Sequence, residues 1–159
     1  MGLAQDLKLY NNQKWTMWEN IEYVDKQENK TGNWESKIRR VAWFEDMITF
    51  HQAWNRIPHS KLNNLLYDTQ KDEFKVFCDN KDDSSKWKYF ISAIQMFKTG
   101  ILPAWEDEVN AKGSDFRLEL KNLSAETMQA GWERLIFDMV TGNFPHVKEG
   151  ISGVRFVQR

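Results

Sequence analysis

A tryptophan followed at once by a glutamate, Trp105-Glu106, stands within Gly100-Ile101-Leu102-Pro103-Ala104-Trp105-Glu106-Asp107-Glu108. An indole can cover the face of a planar ligand while the neighbouring carboxylate accepts hydrogen bonds from its edge. A second tryptophan, Trp34 in Lys30-Thr31-Gly32-Asn33-Trp34-Glu35, could close the opposite face. Two indoles and one carboxylate suit a planar ring with positive charge and edge donors, such as a cationic purine. A loop tryptophan can also fold back onto its own protein, but the ligand role is the favoured reading of Trp34.

Other chemistries find no support. His51, His59 and His146 lack close metal-ligand spacing, and the single cysteine, Cys78, has no identifiable activating partner. The acids form no recognisable catalytic pair, and no Walker or dinucleotide glycine pattern is present. We therefore expect no catalytic residue, no metal and no cofactor. The 22 basic and 23 acidic residues nearly cancel, which argues against binding through displaced phosphate counterions. A nucleic-acid ligand would be read through a pocket instead. The start Met1-Gly2-Leu3-Ala4-Gln5-Asp6 lacks the basic and apolar regions of a secretory signal, and no apolar run is long enough to span a bilayer. One unpaired cysteine fits a reducing compartment, so a cytoplasmic location is expected.

The elements that must position these residues are readable in outline. Residues 15–21 and 38–44 are short, aromatic and β-branched, as strands are, with a polar loop from Asp25 to Asn33 between them. Phe116-Arg117-Leu118-Glu119-Leu120 alternates and reads as a half-buried strand, its apolar residues inward. Met47, Phe50, Trp54 and Ile57 recur at helical spacing, with Glu45 and Asp46 at the start and Pro58 as the stop. A second helix runs from an N-cap at Ser124 to Gly142, with Met128, Trp132, Leu135, Ile136, Met139 and Val140 as its core stripe. Residues 58–90 break this rhythm and read as an insertion, ordered through Leu65, Leu66, Phe74, Val76 and Phe77, before a strand resumes at Trp87. Trp15, Trp18, Trp43, Trp54 and Trp132 are assigned to the core, and Trp87 to either environment.

Taken together, these stretches resemble the eukaryotic translation initiation factor 4E family, which binds the mRNA cap. The matching residues are Trp15 and Trp18, Trp34, Phe44-Glu45-Asp46, the run Phe97 to Glu108, and Trp132-Glu133. The resemblance implies an α+β fold: a curved antiparallel sheet, helices on the convex face and a cap slot on the concave side. It implies one domain over 1–159, with the insertion at about 58–90 and the family's C-terminal portion missing. It also implies that Trp34 and Trp105 sandwich 7-methylguanine, that Glu106 binds its Watson–Crick edge, and that Arg159 contacts the cap phosphates. The physics agrees. Methylation at N7 makes the base cationic, so indole faces gain a cation–π term. A carboxylate taking hydrogens from guanine N1 and N2 forms a charge-assisted pair that adenine cannot supply. Arg155 shares a strand face with Arg159 and either assists or is simply solvated.

The implied function is a translation initiation factor that brings capped mRNA to a 4G-type scaffold. The family's helical side receives a helix from that scaffold or from a 4E-binding repressor. Here the matching patch is Met47, Ile48, His51 and Phe137, the last off the core stripe of its helix by geometry. Phe137 could equally pack beneath the insertion or the N-terminal segment. The alternative function is an interaction module that binds a scaffold with little or no cap affinity.

Overall fold

The computed structural model describes residues 8–31, 33–68, 71, 73–79, 87–144 and 150–158. In chain order its strands and helices are β1 (Trp15–Tyr23), α1 (Lys26–Thr31), β2 (Ile38–Phe44), α2 (Met47–Arg56), β3 (Tyr67–Asp68), β4 (Glu73–Phe74), β5 (Val76–Cys78), β6 (Lys88–Lys98), α3 (Glu108–Ala111), α4 (Ala125–Thr141) and β7 (Gly153–Val157). The main sheet is antiparallel and curved, in the order β2-β1-β6, and β5 and β7 both pair with β6 beyond that. Register shifts at Met17/Trp18 and Asn20/Ile21 mark bulges, which bend a strand and increase its twist.

Strand periodicity sorts the side chains between two faces. Trp15, Met17 and Ile21 of β1 are buried with Phe44, Ile94 and Met96 on one face. Phe50 and Trp54 of α2 and Trp132, Ile136, Met139 and Val140 of α4 complete this core. Both helices start and stop where capping chemistry dictates. The Asp46 carboxylate accepts from Thr49 N in a capping box before α2. Ser124 accepts from Thr127 N before α4, and Gly142 ends that helix in the left-handed region at φ 70°. A Cβ at Gly142 would also collide with the Tyr10 ring at 2.1 Å.

One polar pair sits inside this layer. His59 Nε2 and Glu19 Oε2 lie 2.7 Å apart, with the residues 5% and 8% exposed, and Trp132 Nε1 donates to the His59 carbonyl. A buried carboxylate needs such a partner, and this one ties β1 to the turn that follows α2.

The opposite face of the sheet lies away from α2 and α4. Its residues line up across the strands in two rows: Trp43, Thr16, Phe97 and Gly153, then Arg40, Trp18, Gln95 and Arg155. This corrects the reading of Trp43 and Trp18 as core. Phe44 points inward, so its neighbour Trp43 must point outward on the edge strand, and it is 56% exposed. Trp18 lies half-buried on this second face. The expected strand at Phe116-Leu120 is also absent. Residues 114–121 form no strand, and Phe116 and Leu118 are 90% and 72% exposed. Alternation buries one side of a segment only when a neighbouring strand takes up its hydrogen bonds, and none does so here among the described residues. The expected loop from Asp25 to Asn33 instead contains α1, started by Asp25 accepting from Gln27 N and held to β1 by Asn29, which bonds both Tyr23 N and Tyr23 O.

Candidate functional site

The loop after β6 begins with a turn in which Ile101 N donates to Lys98 O. Gly100 occupies its third position at φ 97°, which an L side chain adopts only with strain. A second turn follows, closed by Asp107 N donating to Ala104 O at 3.3 Å. Trp105 and Glu106 are its two central residues, so their side chains project away from the chain's own hydrogen bonds. Both are exposed, Trp105 to 56%.

The three acids of Trp105-Glu106-Asp107-Glu108 thus have different tasks. The Asp107 carboxylate accepts from Leu102 N at 2.8 Å and Val109 N at 3.0 Å, and so caps α3 and shapes the loop. Glu108 lies in the first turn of that short helix. The Glu106 carboxylate makes no hydrogen bond or ion pair among the described residues. Glu108 is likewise exposed and unengaged, but Glu106 is the one that shares the turn with Trp105.

The backbone behind the turn is pinned. Asn110 Nδ2 donates to Leu102 O at 2.6 Å and to Ala104 O at 2.8 Å, and Arg155 Nη2 donates to Pro103 O at 2.9 Å. Arg155 as a residue is exposed. Burial of its guanidinium nonetheless lowers its pKa from the arginine norm, with Asp115 opposing that shift and Arg117 adding to it. Sequence reasoning missed Asn110 altogether and left Arg155 undecided. The capping role of Asp107 was likewise not singled out, although an Asp just before a helix is the local signal that could have shown it.

Trp34 opens a 3-10 turn between α1 and β2, where Asn33 Oδ1 accepts from Ser36 N at 3.0 Å. It is half-buried. No hydrogen bond, ion pair or ring contact joins it to Trp105 or Glu106, so the structure brings together two of the three base-contacting candidates. Arg159 lies outside the described residues. A cleft of about 180 Å³ between Tyr10, Trp15, Met139 and Phe144 includes none of these side chains.

The expected partner patch is more mixed than its sequence. Ile48 is 47% exposed, and His51 is exposed with its Nε2 2.9 Å from Asn55 Nδ2. Met47 packs partly against the core. Phe137 meets Phe50 and Trp54 edge-on at centroid distances of 5.4 and 6.0 Å, yet 37% of it remains exposed. Its packing partner is therefore α2.

Residues 10–159 match the family model of eukaryotic initiation factor 4E. The chain belongs to that family. Among curated relatives, it is similar to the eukaryotic translation initiation factor 4E of Candida albicans, 27% identical over 71% of this chain and 40% of the relative. It is also similar to that of Saccharomyces cerevisiae, 26% identical over 94% of this chain and 56% of the relative. The chain thus spans about half the length of the curated family members it matches. Its fold resembles Ascaris suum eIF4E-3 in complex with an m2,2,7G cap, with a TM-score of 0.63 and 22% identity over 96% of this chain and 67% of that one. It also resembles C. elegans eIF4E-3 in complex with the 4E-binding protein Mextli, with a TM-score of 0.62 and 19% identity over 96% and 69%.

Proposed function

We propose that this chain is a non-enzymatic mRNA cap-binding initiation factor that acts in the cytoplasm. The observation that carries the reading is the Trp105-Glu106 turn, which presents an exposed indole beside an unengaged carboxylate while Asp107, Asn110 and Arg155 are occupied in holding the loop. Trp105 would stack on 7-methylguanine, with Trp34 closing from the second loop, and Glu106 would accept from the N1 and N2 hydrogens. Arg159 would serve the phosphates. Similar folds in complex with m7G and m2,2,7G caps support this assignment.

Ile48, His51 and Phe137, with Met47 behind them, would receive a helix from a 4G-type scaffold or a repressor. A similar fold bound to Mextli supports that side of the proposal. Among the described residues, no helix is long and apolar enough to cross a membrane.

The deciding experiment titrates the chain with 7-methyl-GTP and with GTP while following tryptophan fluorescence. Quenching by the methylated nucleotide alone is expected. Equal responses, or none from a folded sample that still captures a scaffold helix, would leave a scaffold-binding module without cap selectivity.

A further inference from the structure

The hydrogen bonds around the Trp105-Glu106 turn divide into two kinds. Those from Asp107 and Asn110 stay within residues 102–110, so they shape the loop without saying where it sits. Among the described residues, apart from Ile101 N donating to Lys98 O at the start of the loop, the bond that reaches 102–110 from a distant part of the chain is that from Arg155 Nη2 to Pro103 O, spanning 52 positions of sequence. The sheet register places Arg155 of β7 opposite Gln95, which lies opposite Trp18, so the tie comes from the sheet face turned away from α2 and α4. Two residues before Arg155 on the same face, Gly153 leaves room for the Phe97 ring, whose Cγ would lie 2.4 Å from an added Cβ.

We propose that Arg155 is the positioning residue of the cap slot, holding the Trp105-Glu106 turn over the sheet through the Pro103 carbonyl. The proposal rests on the cap-binding reading and deepens it. A guanidinium suits the task because its planar, rigid fork fixes the direction of the N–H it offers. Its bond goes to a neutral carbonyl, and among the described residues no ion pair diverts it, although the Asp115 carboxylate acts on its charge from a distance. Arg155 then acts through Trp105 and Glu106 and not on the ligand.

The rival role for any cation near this loop is a direct phosphate contact, and the ligand distinguishes the two. Arg155→Met keeps the aliphatic stem and removes the donors, and Arg155→Lys keeps charge and one donor direction. Each is titrated with 7-methylguanosine, which has no phosphate, and with 7-methyl-GTP. A lost hydrogen bond to a charged group of ordinary strength predicts roughly a tenfold weakening by Arg155→Met. The loss should be equal for both ligands, with partial recovery in Arg155→Lys. A loss confined to the triphosphate would overturn the proposal in favour of phosphate binding, and no loss would overturn it outright.

A second readout needs no ligand. With 5-fluorotryptophan incorporated, the Trp105 resonance is assigned by its disappearance in Trp105→Phe. Arg155→Met should shift or broaden it in the free protein while resonances from the helix-packed face stay put. An unmoved Trp105 signal would sink the tie even if the wild-type chain never binds a cap. Failure of wild-type cap binding with a moved signal would instead sink the functional reading and leave the tie standing.

Discussion

The two faces of the sheet hold their aromatic residues in different ways. On the helix-packed face, Phe44, Phe50 and Trp132 are 2% exposed or less, each placed by many neighbours at once. On the loop side, Trp105 is 56% exposed, and its position depends on a handful of hydrogen bonds to backbone carbonyls. Packing distributes a residue's placement over dozens of weak contacts, so no single one matters much. A loop concentrates that placement in two or three side chains, which makes it easy to tune and easy to break.

The largest expected effect falls on the packed face. Trp132→Ala removes a ring that also meets Phe156 at 6.0 Å and donates to the His59 carbonyl, and should cost about 3–5 kcal/mol in denaturant unfolding. A cost below about 1 kcal/mol would show that α4 is loosely seated and would erase the contrast between the faces. Next comes Glu19→Ala, which strands the buried His59, whose Nδ1 has no partner either. It should cost about 2–3 kcal/mol, the penalty for leaving a buried polar group unmatched. Glu19→Gln, which keeps an acceptor, should recover part of that.

Trp105→Ala should behave in the opposite sense. Exposed as it is, its loss should move stability by no more than about 0.5 kcal/mol. Loss of one stacking face should weaken 7-methyl-GTP binding by about 1–3 kcal/mol, read in the fluorescence titration. An unfolding shift as large as that of Trp132→Ala would mean that Trp105 is a packing residue after all.

The same contrast explains what could be read from the chain before its structure. β1, β2, α2 and α4 follow from periodicity, and Asp46, Ser124 and Gly142 mark helix ends through local chemistry that needs no tertiary information. Local patterns failed where a distant partner decides. Phe116, Leu118 and Leu120 alternate as a strand does, but strand formation requires a neighbour that the alternation cannot reveal. Trp43 is as apolar as Phe44, and only strand parity, which turns it away from α2 and α4, puts it outside. The turn that exposes Trp105 and Glu106 is local, because its neighbours in sequence are its neighbours in space. Arg155 and His59 find their partners 52 and 40 positions away, a pairing no single sequence displays.

The smallest effect should separate the faces by pH. Backbone donation from Thr49 N holds the Asp46 carboxyl below the usual carboxylate range. A carboxyl depressed on folding stabilises above its unfolded value, and that contribution is lost as the pH falls through the folded one. Asp46→Asn keeps an acceptor for the cap but no longer titrates, so its stability should fall less steeply over that acid range than the wild type's. Near neutral pH it should leave 7-methyl-GTP affinity unchanged, because α2 lies under the sheet and the Trp105 loop is tied to the other side. A change in affinity there would mean that the capping of α2 is felt across the sheet, and the two faces would then have to be treated as one coupled unit.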